Sequence, residues 1–391
     1  MIPAPLRATA AGLCAILVGI GIARFAYTPL LPALIEAGWF EPSAAAYLGA
    51  ANLIGYLAGA IVARRIARAT SAVAVLRASM ALSALSCFAC AVPVAFAWYF
   101  AWRFLAGFAG GGLVALAAPT VLPLVDPARR GLASGAIFTG VGIGIAAAGT
   151  LVPLLLDRGP AMAWIGLGIV GTALTMWSWT AWPRGEAPVP PAPPRTAPAA
   201  MKPLYVAYAL NAVGLVPHMV FLVDFVARGL GQGVESGARY WILYGVGALF
   251  GPILAGHVGD RIGFGAALRL AFVLQAGLVG MLAAAPSPPL LMLSSLVMGA
   301  FTPGVVPLVL GRTQELLPGD RVAQGAAWSV ATTAFAIGQA VAAYGFSWLF
   351  AMTGDHRLLF GLGAAALLAA LALDLAASRR PRRAGGDGRC G

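Results

Sequence analysis

The stretch LRATAAGLCAILVGIGIARFAYTPLLPALI, Leu6 to Ile35, is apolar almost throughout. A helix needs about 20 apolar residues to cross the hydrocarbon core of a bilayer, and this run is longer than that. It is also too long for the apolar part of a signal peptide, and no small-residue cleavage site follows it. The stretch therefore predicts a retained membrane helix, with one arginine, Arg24, near its middle.

The composition of the whole chain supports a membrane protein. Of 391 residues, 60% are hydrophobic and only 10% are charged, whereas soluble domains carry roughly 25% charged residues. The four cysteines fit neither a disulfide framework nor a metal site, so we expect free thiols, no metal and no cofactor. They are Cys14, Cys87, Cys90 and Cys390.

Breaks rich in charge, proline or glycine divide the chain into twelve predicted helices. They are roughly 8–35, 44–68, 72–92, 96–122, 131–156, 161–182, 203–227, 237–259, 264–285, 288–311, 322–350 and 357–377. The Pro-rich segment 184–202 separates six helices in residues 1–183 from six in residues 203–378. Residues 379–391 form a basic tail that we expect to be disordered.

The net charge of +12 would suit a nucleic-acid partner, but the distribution of the basic residues indicates another cause. If twelve helices have both ends inside, 19 of the 25 Lys and Arg residues fall on the inner side and four on the outer side. Inner loops of membrane proteins are rich in Lys and Arg. We therefore predict cytoplasmic termini in a bacterial inner membrane and no nucleic-acid binding.

Loops at equivalent places in the two halves suggest an internal repeat. The segment GHVGDRIG, Gly256 to Gly263, follows the eighth predicted helix, and GAIVARRI, Gly59 to Ile66, ends the second. Matching Gly256 with Gly59 sets Asp260 against Ala63 and Arg261 against Arg64. The first copy has therefore lost the acid.

These features resemble the major facilitator superfamily. Its G-x-x-x-D-R-x-G motif is similar to Gly256 to Gly263, and its R-x-x-x-G motif is similar to RFLAGFAGG, Arg103 to Gly111. The opening GIARFAYTPLLPAL resembles the YbfB/YjiJ-type branch. The resemblance implies an all-α integral membrane protein with twelve transmembrane helices in two six-helix pseudo-repeat bundles, which rock around a central cavity.

The resemblance also implies a set of gating residues. Asp260 can accept hydrogen bonds from a neighbouring helix N-terminus, and Arg261 can pair with Glu315 or Asp320. The alternative is an ordinary charged turn. Arg103 either snorkels to the outer interface or contacts backbone or a proton-carrying partner, and Gly107 allows close helix packing. The complete set is Gly256, Asp260, Arg261, Gly263, Arg103 and Gly107.

Polar residues within the apolar runs are the candidates for a substrate cavity. Arg24, Tyr27 and Thr28 form one polar stripe, and Pro29 and Pro32 predict a kink beside it. An arginine at the bilayer centre costs roughly 2.5–3.5 kcal/mol on insertion scales, so we expect it to face a cavity rather than lipid. Hydrogen bonding between helices is the alternative role. The candidates are Arg24, Tyr27, Thr28, Asn52, Tyr56, Asn211, His218, Tyr244, Trp328 and Gln339.

Together these patterns predict a secondary transporter of a small solute, working as a monomer in the lipid bilayer. A positive cavity favours an organic anion, such as a carboxylate. The alternatives are a multidrug-type exporter of apolar or cationic compounds and a non-transporting membrane sensor or scaffold. The sequence contains no nucleophile–base set and no phosphate-binding loop, so it does not suggest an enzyme. Proton coupling would need His218 or Asp224, because no carboxylate lies at mid-membrane.

Overall fold

The computed structural model describes residues 3–126, 129–183, 201–284 and 286–379. Twelve helices in this part are long and apolar enough to cross a membrane, as the sequence predicts. They are α1 (Ala4–Glu36), α2 (Pro42–Ala69), α3 (Ala72–Ala89), α4 (Phe96–Val121), α5 (Arg130–Leu156), α6 (Pro160–Ser178), α7 (Lys202–Gly229), α8 (Gly233–Ile262), α9 (Phe264–Ala284), α10 (Pro288–Leu316), α11 (Arg321–Thr353) and α12 (His356–Arg379).

With an even number of spans, α1 begins and α12 ends on the same side of the bundle. We call this side the terminal face and the other side the opposite face. The helices extend beyond several predicted ends; α1, for example, begins at Ala4 and α8 reaches Ile262. Most of the predicted linker, 184–200, and the tail from 380 onwards lie outside the described residues.

Glycines bring pairs of helices into backbone contact at the same place in each half. A Cβ at Gly55 or Gly59 in α2 would collide with backbone carbonyl oxygens of α4, and one at Gly107 would collide with that of Asn52. The α8–α10 pair is built in the same way, with Gly247 and Gly251 of α8 against the backbone of α10. Small residues allow this approach in lipid, where the close packing itself stabilises the pair.

These crossings correct the repeat alignment made from the loops. The α2 glycines Gly55 and Gly59 occupy the positions that Gly247 and Gly251 occupy in α8. Gly59 therefore corresponds to Gly251 and not to Gly256, so the motif aligns with residues 64–71, which contain neither its glycines nor its acid. The loop comparison was wrong because short glycine-containing segments match in more than one register, whereas backbone contact fixes one.

The two halves meet in the middle of the molecule and towards the opposite face. Helix α5 packs on α8, α2 packs on α11, and the Tyr27–Glu36 part of α1 packs on α7 and α8. The rings of Tyr47 and Tyr344 lie 6.2 Å apart between their centroids. This conformation is therefore closed at the opposite face, and we call that contact region the opposite-face gate.

The loop motif has different partners from those predicted. Glu315 of α10 accepts hydrogen bonds from the backbone nitrogens of Phe264 (2.7 Å) and Gly265 (3.3 Å), and it pairs with Arg312 at 3.0 Å. The acid that holds the start of α9 is therefore Glu315 and not Asp260. Among the described residues, Glu315 forms no ion pair with Arg261.

Asp320, the other predicted partner of Arg261, also has a different role. Its side chain accepts a hydrogen bond from the backbone nitrogen of Ala323 at 2.9 Å and caps the start of α11. Gly263 has a φ of 84° in the loop between α8 and α9, which suits glycine because it has no Cβ.

Glu315→Gln is expected to destabilise the protein by about 1 kcal/mol, because a carboxylate at a helix N-terminus stabilises more than a neutral amide does. Asp260→Asn, which removes an equal charge from the same loop region, should change stability by less than about 0.5 kcal/mol. Thermal unfolding of the purified variants in one detergent measures both. A larger loss for Asp260→Asn would assign the capping role to the motif acid after all.

Candidate functional site

The first helix is interrupted where Arg24 lies. Residues Ala4–Ile16 form an α-helix, Leu17–Ile22 a π-helix and Tyr27–Glu36 a second α-helix, with a turn at 23–26. Pro29 lacks the N–H that would bond to the Phe25 carbonyl, so the α-helical pattern fails one turn before the proline. The predicted kink thus lies N-terminal to Pro29. π-Segments are frequent at functional sites.

Arg24 joins the two halves at this break. Its Nη2 donates a hydrogen bond to Gln339 Oε1 of α11 at 2.7 Å. The guanidinium carbon lies 5.2 Å from the ring centroid of Phe25 and 5.1 Å from that of Tyr56. The side chain is half-buried. Arg24 therefore lies inside the protein between the halves, as the cavity prediction requires, and does not extend into lipid.

Arg103 converges on the same break from α4. It is only 2% exposed, and its Nη1 donates a hydrogen bond to the Ala23 carbonyl at 2.6 Å. Its guanidinium carbon lies 4.4 Å from the Tyr27 ring centroid. Of the two roles predicted for Arg103, backbone contact is therefore correct and snorkelling is wrong. Arg103 therefore lies at the central site.

A small cavity of about 20 Å³ lies among these groups. A water molecule needs about 10–15 Å³ and two to four polar partners, so the space suits one water or one oxygen of a ligand. Asn52 Oδ1 and Arg103 Nε are buried here without a hydrogen-bond partner. The lining residues are Arg24, Phe25, Tyr27, Thr28, Gly49, Asn52, Leu53, Arg103, Met219 and Val220.

Helix α7 is interrupted at the same depth from the other half. Pro217–Phe221 and Phe225–Gly229 are π-helical. The Met219 carbonyl accepts a hydrogen bond from Thr28 Oγ1 at 2.6 Å, and Met219 Sδ lies 3.4 Å from Gln339 Nε2. Sequence reasoning missed Met219, since it contributes a backbone carbonyl; Pro217 was the only local signal of the break.

Tyr27 lines the small cavity together with Arg24, whereas His218 and Asn211 do not. The Tyr27 hydroxyl donates to the Ala45 carbonyl at 2.7 Å. His218 Nε2 lies 2.8 Å from Ser294 Oγ. Both groups are buried within their own halves. The expectation that Tyr27 and His218 face Arg24 together is therefore wrong, although the Tyr27 ring lines the small cavity.

Asn211 also forms its hydrogen bond within its own half. Its Nδ2 donates to Gln275 Oε1 of α9 at 3.0 Å, and the side chain is fully buried. The interhelical hydrogen bond that was the alternative role is the observed one. Asn52 combines both roles, because its Nδ2 donates to the Arg103 carbonyl at 3.2 Å while its Oδ1 remains unpaired beside the cavity.

The remaining candidates surround the site at a distance. The Tyr244 and Thr302 hydroxyls are hydrogen-bonded to each other, and the Tyr244 ring stacks on Trp241 at 4.8 Å. Trp241 in turn lies 6.0 Å from Phe25. Trp328 is half-buried in the part of α11 nearer the terminal face. Of the two candidates on α11, Trp328 and Gln339, only Gln339 hydrogen-bonds to Arg24.

No carboxylate in the described part of the chain hydrogen-bonds to, or forms an ion pair with, Arg24 or Arg103. Asp224 pairs with Arg228 and His356, and Asp374 pairs with Arg269 at 2.6 Å. The central site therefore carries two guanidinium groups whose charges are balanced by dipoles and aromatic rings alone.

A family model described as "Uncharacterised MFS-type transporter YbfB" matches residues 16–375. This chain belongs to that family. It is thus a multi-pass membrane protein and a transporter of the major facilitator type, a family and fold that are not enzymatic in general. The family predicted from the opening stretch and the loop motif is confirmed. No curated protein matches the sequence.

Solved structures of transporters share the fold. A bacterial homologue of the human lysosomal transporter Spinster, in an inward-facing and occupied conformation, aligns with TM-score 0.74 at 16% identity over 95% of this chain and 96% of its own. A variant of the nucleoside transporter NupG aligns with TM-score 0.73 at 14% identity, over 96% of this chain and 100% of its own. A D-xylose–proton symporter aligns with TM-score 0.70 at 17% identity, over 94% of this chain and 96% of its own. At these identities the likeness concerns the fold alone.

Proposed function

We propose that this transporter carries a small organic anion, with a carboxylate or similar group bound at Arg24. It works as a monomer by alternating access in a bacterial inner membrane, with the terminal face in the cytoplasm. The positive-inside distribution of Lys and Arg supports this orientation. In it, the present conformation is closed to the outside.

The observation that carries the proposal is the pair of arginines at one small polar cavity without a carboxylate partner. Burying a charge is costly unless the charge is paired. Arg103 is partly satisfied by the Ala23 carbonyl, and Arg24 by the neutral amide of Gln339. An anionic ligand would supply the missing negative charge, and charge-assisted hydrogen bonds to guanidinium are about twice as strong as neutral ones.

The shape of the site narrows the class of anion. A cavity of about 20 Å³ has room for one ligand oxygen in this conformation, so the body of the ligand must lie outside it. The rings of Phe25 and Tyr56 lie within about 5 Å of the Arg24 guanidinium. These rings favour a ligand in which an apolar body adjoins the carboxylate.

The contacts between the halves give the transport cycle a physical basis. The hydrogen bonds from Arg24 to Gln339 and from Thr28 to the Met219 carbonyl join opposite halves at the site. Both must break when the halves rock apart at the opposite face. A ligand that bonds Arg24 replaces the first of them, so its binding lowers the cost of separating the halves.

The proposal can be tested with matched pairs of small molecules. Purified protein is screened by thermal shift against carboxylic acids and their primary amides, which differ little in size, and positive compounds are then tested for counterflow in vesicles. We expect acids to stabilise the protein and to exchange, and amides to do neither. Equal shifts for both members of each pair would overturn the anion proposal.

The same screen distinguishes anion transport from the two alternative functions. Stabilisation by lipophilic cations, with counterflow, would support the multidrug-type exporter, although the two arginines would repel a cation at this site. Binding of acids without counterflow in sealed vesicles would support a sensor or scaffold.

A further inference from the structure

A second buried charged cluster lies at the opposite-face end of α7, away from the arginine site. The Asp224 carboxylate is fully buried and accepts hydrogen bonds from Arg228 through both of its oxygens. His356 Nε2 lies 2.6 Å from Asp224 Oδ2. His356 is the first residue of α12 and is itself buried. The cluster therefore ties the end of α7 to the start of α12.

The cluster also adjoins the gate between the halves. The segment Leu222–Asp224 is a single α-helical turn between the two π-helical segments of α7. It packs on the Tyr27–Glu36 part of α1, which belongs to the other half. The His356 ring packs on Phe350 of α11, with centroids 4.6 Å apart. A change in the cluster therefore acts directly on the helices that close the opposite face.

A cavity of about 430 Å³ gives access to this cluster from the opposite face. One wall is the start of α2 in the N-terminal half, and the other is formed by α7, α11 and α12. Because the cavity lies between the halves, separating them at this face would widen it and expose more of the imidazole, which is buried in this conformation. Its lining residues are Glu41, Pro42, Ser43, Arg228, Gly229, Phe350, Ala351, Gly354 and His356.

We propose that Asp224 and His356 form a proton-binding site that locks the opposite-face gate. In the closed state His356 carries a proton on Nε2 and donates it in a hydrogen bond to Asp224 Oδ2. When the gate opens, water enters, the hydrogen bond breaks, and the proton passes from Nε2 to water in the cavity. Histidine suits this role because it exchanges a proton near physiological pH.

Other charged groups face the cluster. Arg228 offers a second positive charge to Asp224, and Glu41 lines the same cavity as His356. The exposed pair Glu235–Arg239 is neutral as a unit. Among the described residues, the remaining charged groups at the opposite face are Glu36, Asp157, Arg158, Asp355 and Arg357, all of them exposed.

The test measures the gate without any substrate. Spin labels are placed at Ala37→Cys and Met352→Cys, exposed positions at the opposite-face ends of α1 and α11, with Cys390→Ser to remove a competing thiol. Cys14, Cys87 and Cys90 are buried. Electron–electron distances are recorded in lipid nanodiscs at about pH 5.5 and about pH 8.5, on either side of the ordinary range of an imidazole.

We expect the ratio of the short-distance (closed) to the long-distance (open) population to be about tenfold higher at the lower pH, because the closed state binds the proton more tightly. His356→Gln should abolish this dependence, while the neighbouring Arg357→Gln should keep it. A parent protein whose distances do not change with pH would overturn the proposal even if no variant folds. So would a His356→Gln protein that retains the full pH response. Neither outcome bears on the anion proposal.

Discussion

Arg24→Ala is expected to weaken binding of a transported carboxylate by at least about 100-fold, because, of the two arginines at the site, it removes the one that is only half-buried. Arg24→Lys should retain part of the affinity, since an ammonium keeps the charge but not the planar fork of donors. Isothermal titration or thermal-shift titration with an acid from the screen measures both. Counterflow in vesicles should fall in the same order.

The control for Arg24→Ala is Arg239→Ala. It removes the same charge from an exposed i,i+4 pair with Glu235 at the opposite-face end of α8, where a surface pair contributes little. We expect unchanged affinity and transport for this variant. Should Arg239→Ala and Arg24→Ala weaken binding equally, the effect would come from overall charge and not from the site.

Gln339 offers an independent check on the same interaction. Its Oε1 accepts the hydrogen bond from Arg24 in this conformation, so it would compete with a ligand for that guanidinium. Trp328, the other candidate on α11, forms no such hydrogen bond with Arg24.

The fold could be predicted from the sequence because membrane insertion makes hydropathy decisive. A backbone in lipid must satisfy its own hydrogen bonds, so each long apolar run has to be a helix. The Pro-rich break and the alternation of basic residues then divide and orient the runs. Hydropathy predicts the ends of helices such as α1 and α8 less well, because polar residues continue the helix beyond the hydrocarbon core.

The site could be predicted only in part, since it depends on backbone atoms. The charged centre at Arg24 follows from the cost of a lone arginine in lipid. The carbonyls of Ala23 and Met219, which bond to Arg103 and Thr28, are available because α1 and α7 depart from α-helical geometry. A sequence pattern indicates prolines near such breaks but not which carbonyls they leave free.

His218 shows why two polar residues at the same depth in the membrane need not face the same cavity. Tyr27 and His218 are indeed both polar groups buried near the centre, one in each half. Each bonds within its own half, to the Ala45 carbonyl and to Ser294. An intramembrane polar residue must find a partner, and a neighbouring helix of the same half supplies one as readily as a cavity does. Helix spacing alone cannot separate these two cases.

Gly107 lies in the close crossing of α2 and α4, and a substitution there gives the second large expected effect. Gly107→Ala should destabilise the protein by about 3 kcal/mol, because the added Cβ meets the Asn52 carbonyl oxygen and helices α2 and α4 must separate. Gly299→Ala should do the same in the other half, where the Cβ meets the Tyr244 carbonyl. Unfolding of the purified variants in detergent measures the loss.

The matched control is Gly277→Ala in the middle of α9, where an added Cβ has no neighbour within 4 Å. Alanine is the better helix former by about 1 kcal/mol, so this variant should be as stable as the parent or slightly more stable. Equal losses at Gly107 and Gly277 would mean that helix backbone effects, and not the crossing, determine stability. If Gly107→Ala keeps its stability and loses only transport, the residue belongs to the moving parts. The backbone contact then marks a hinge between α2 and α4 instead of a fixed joint.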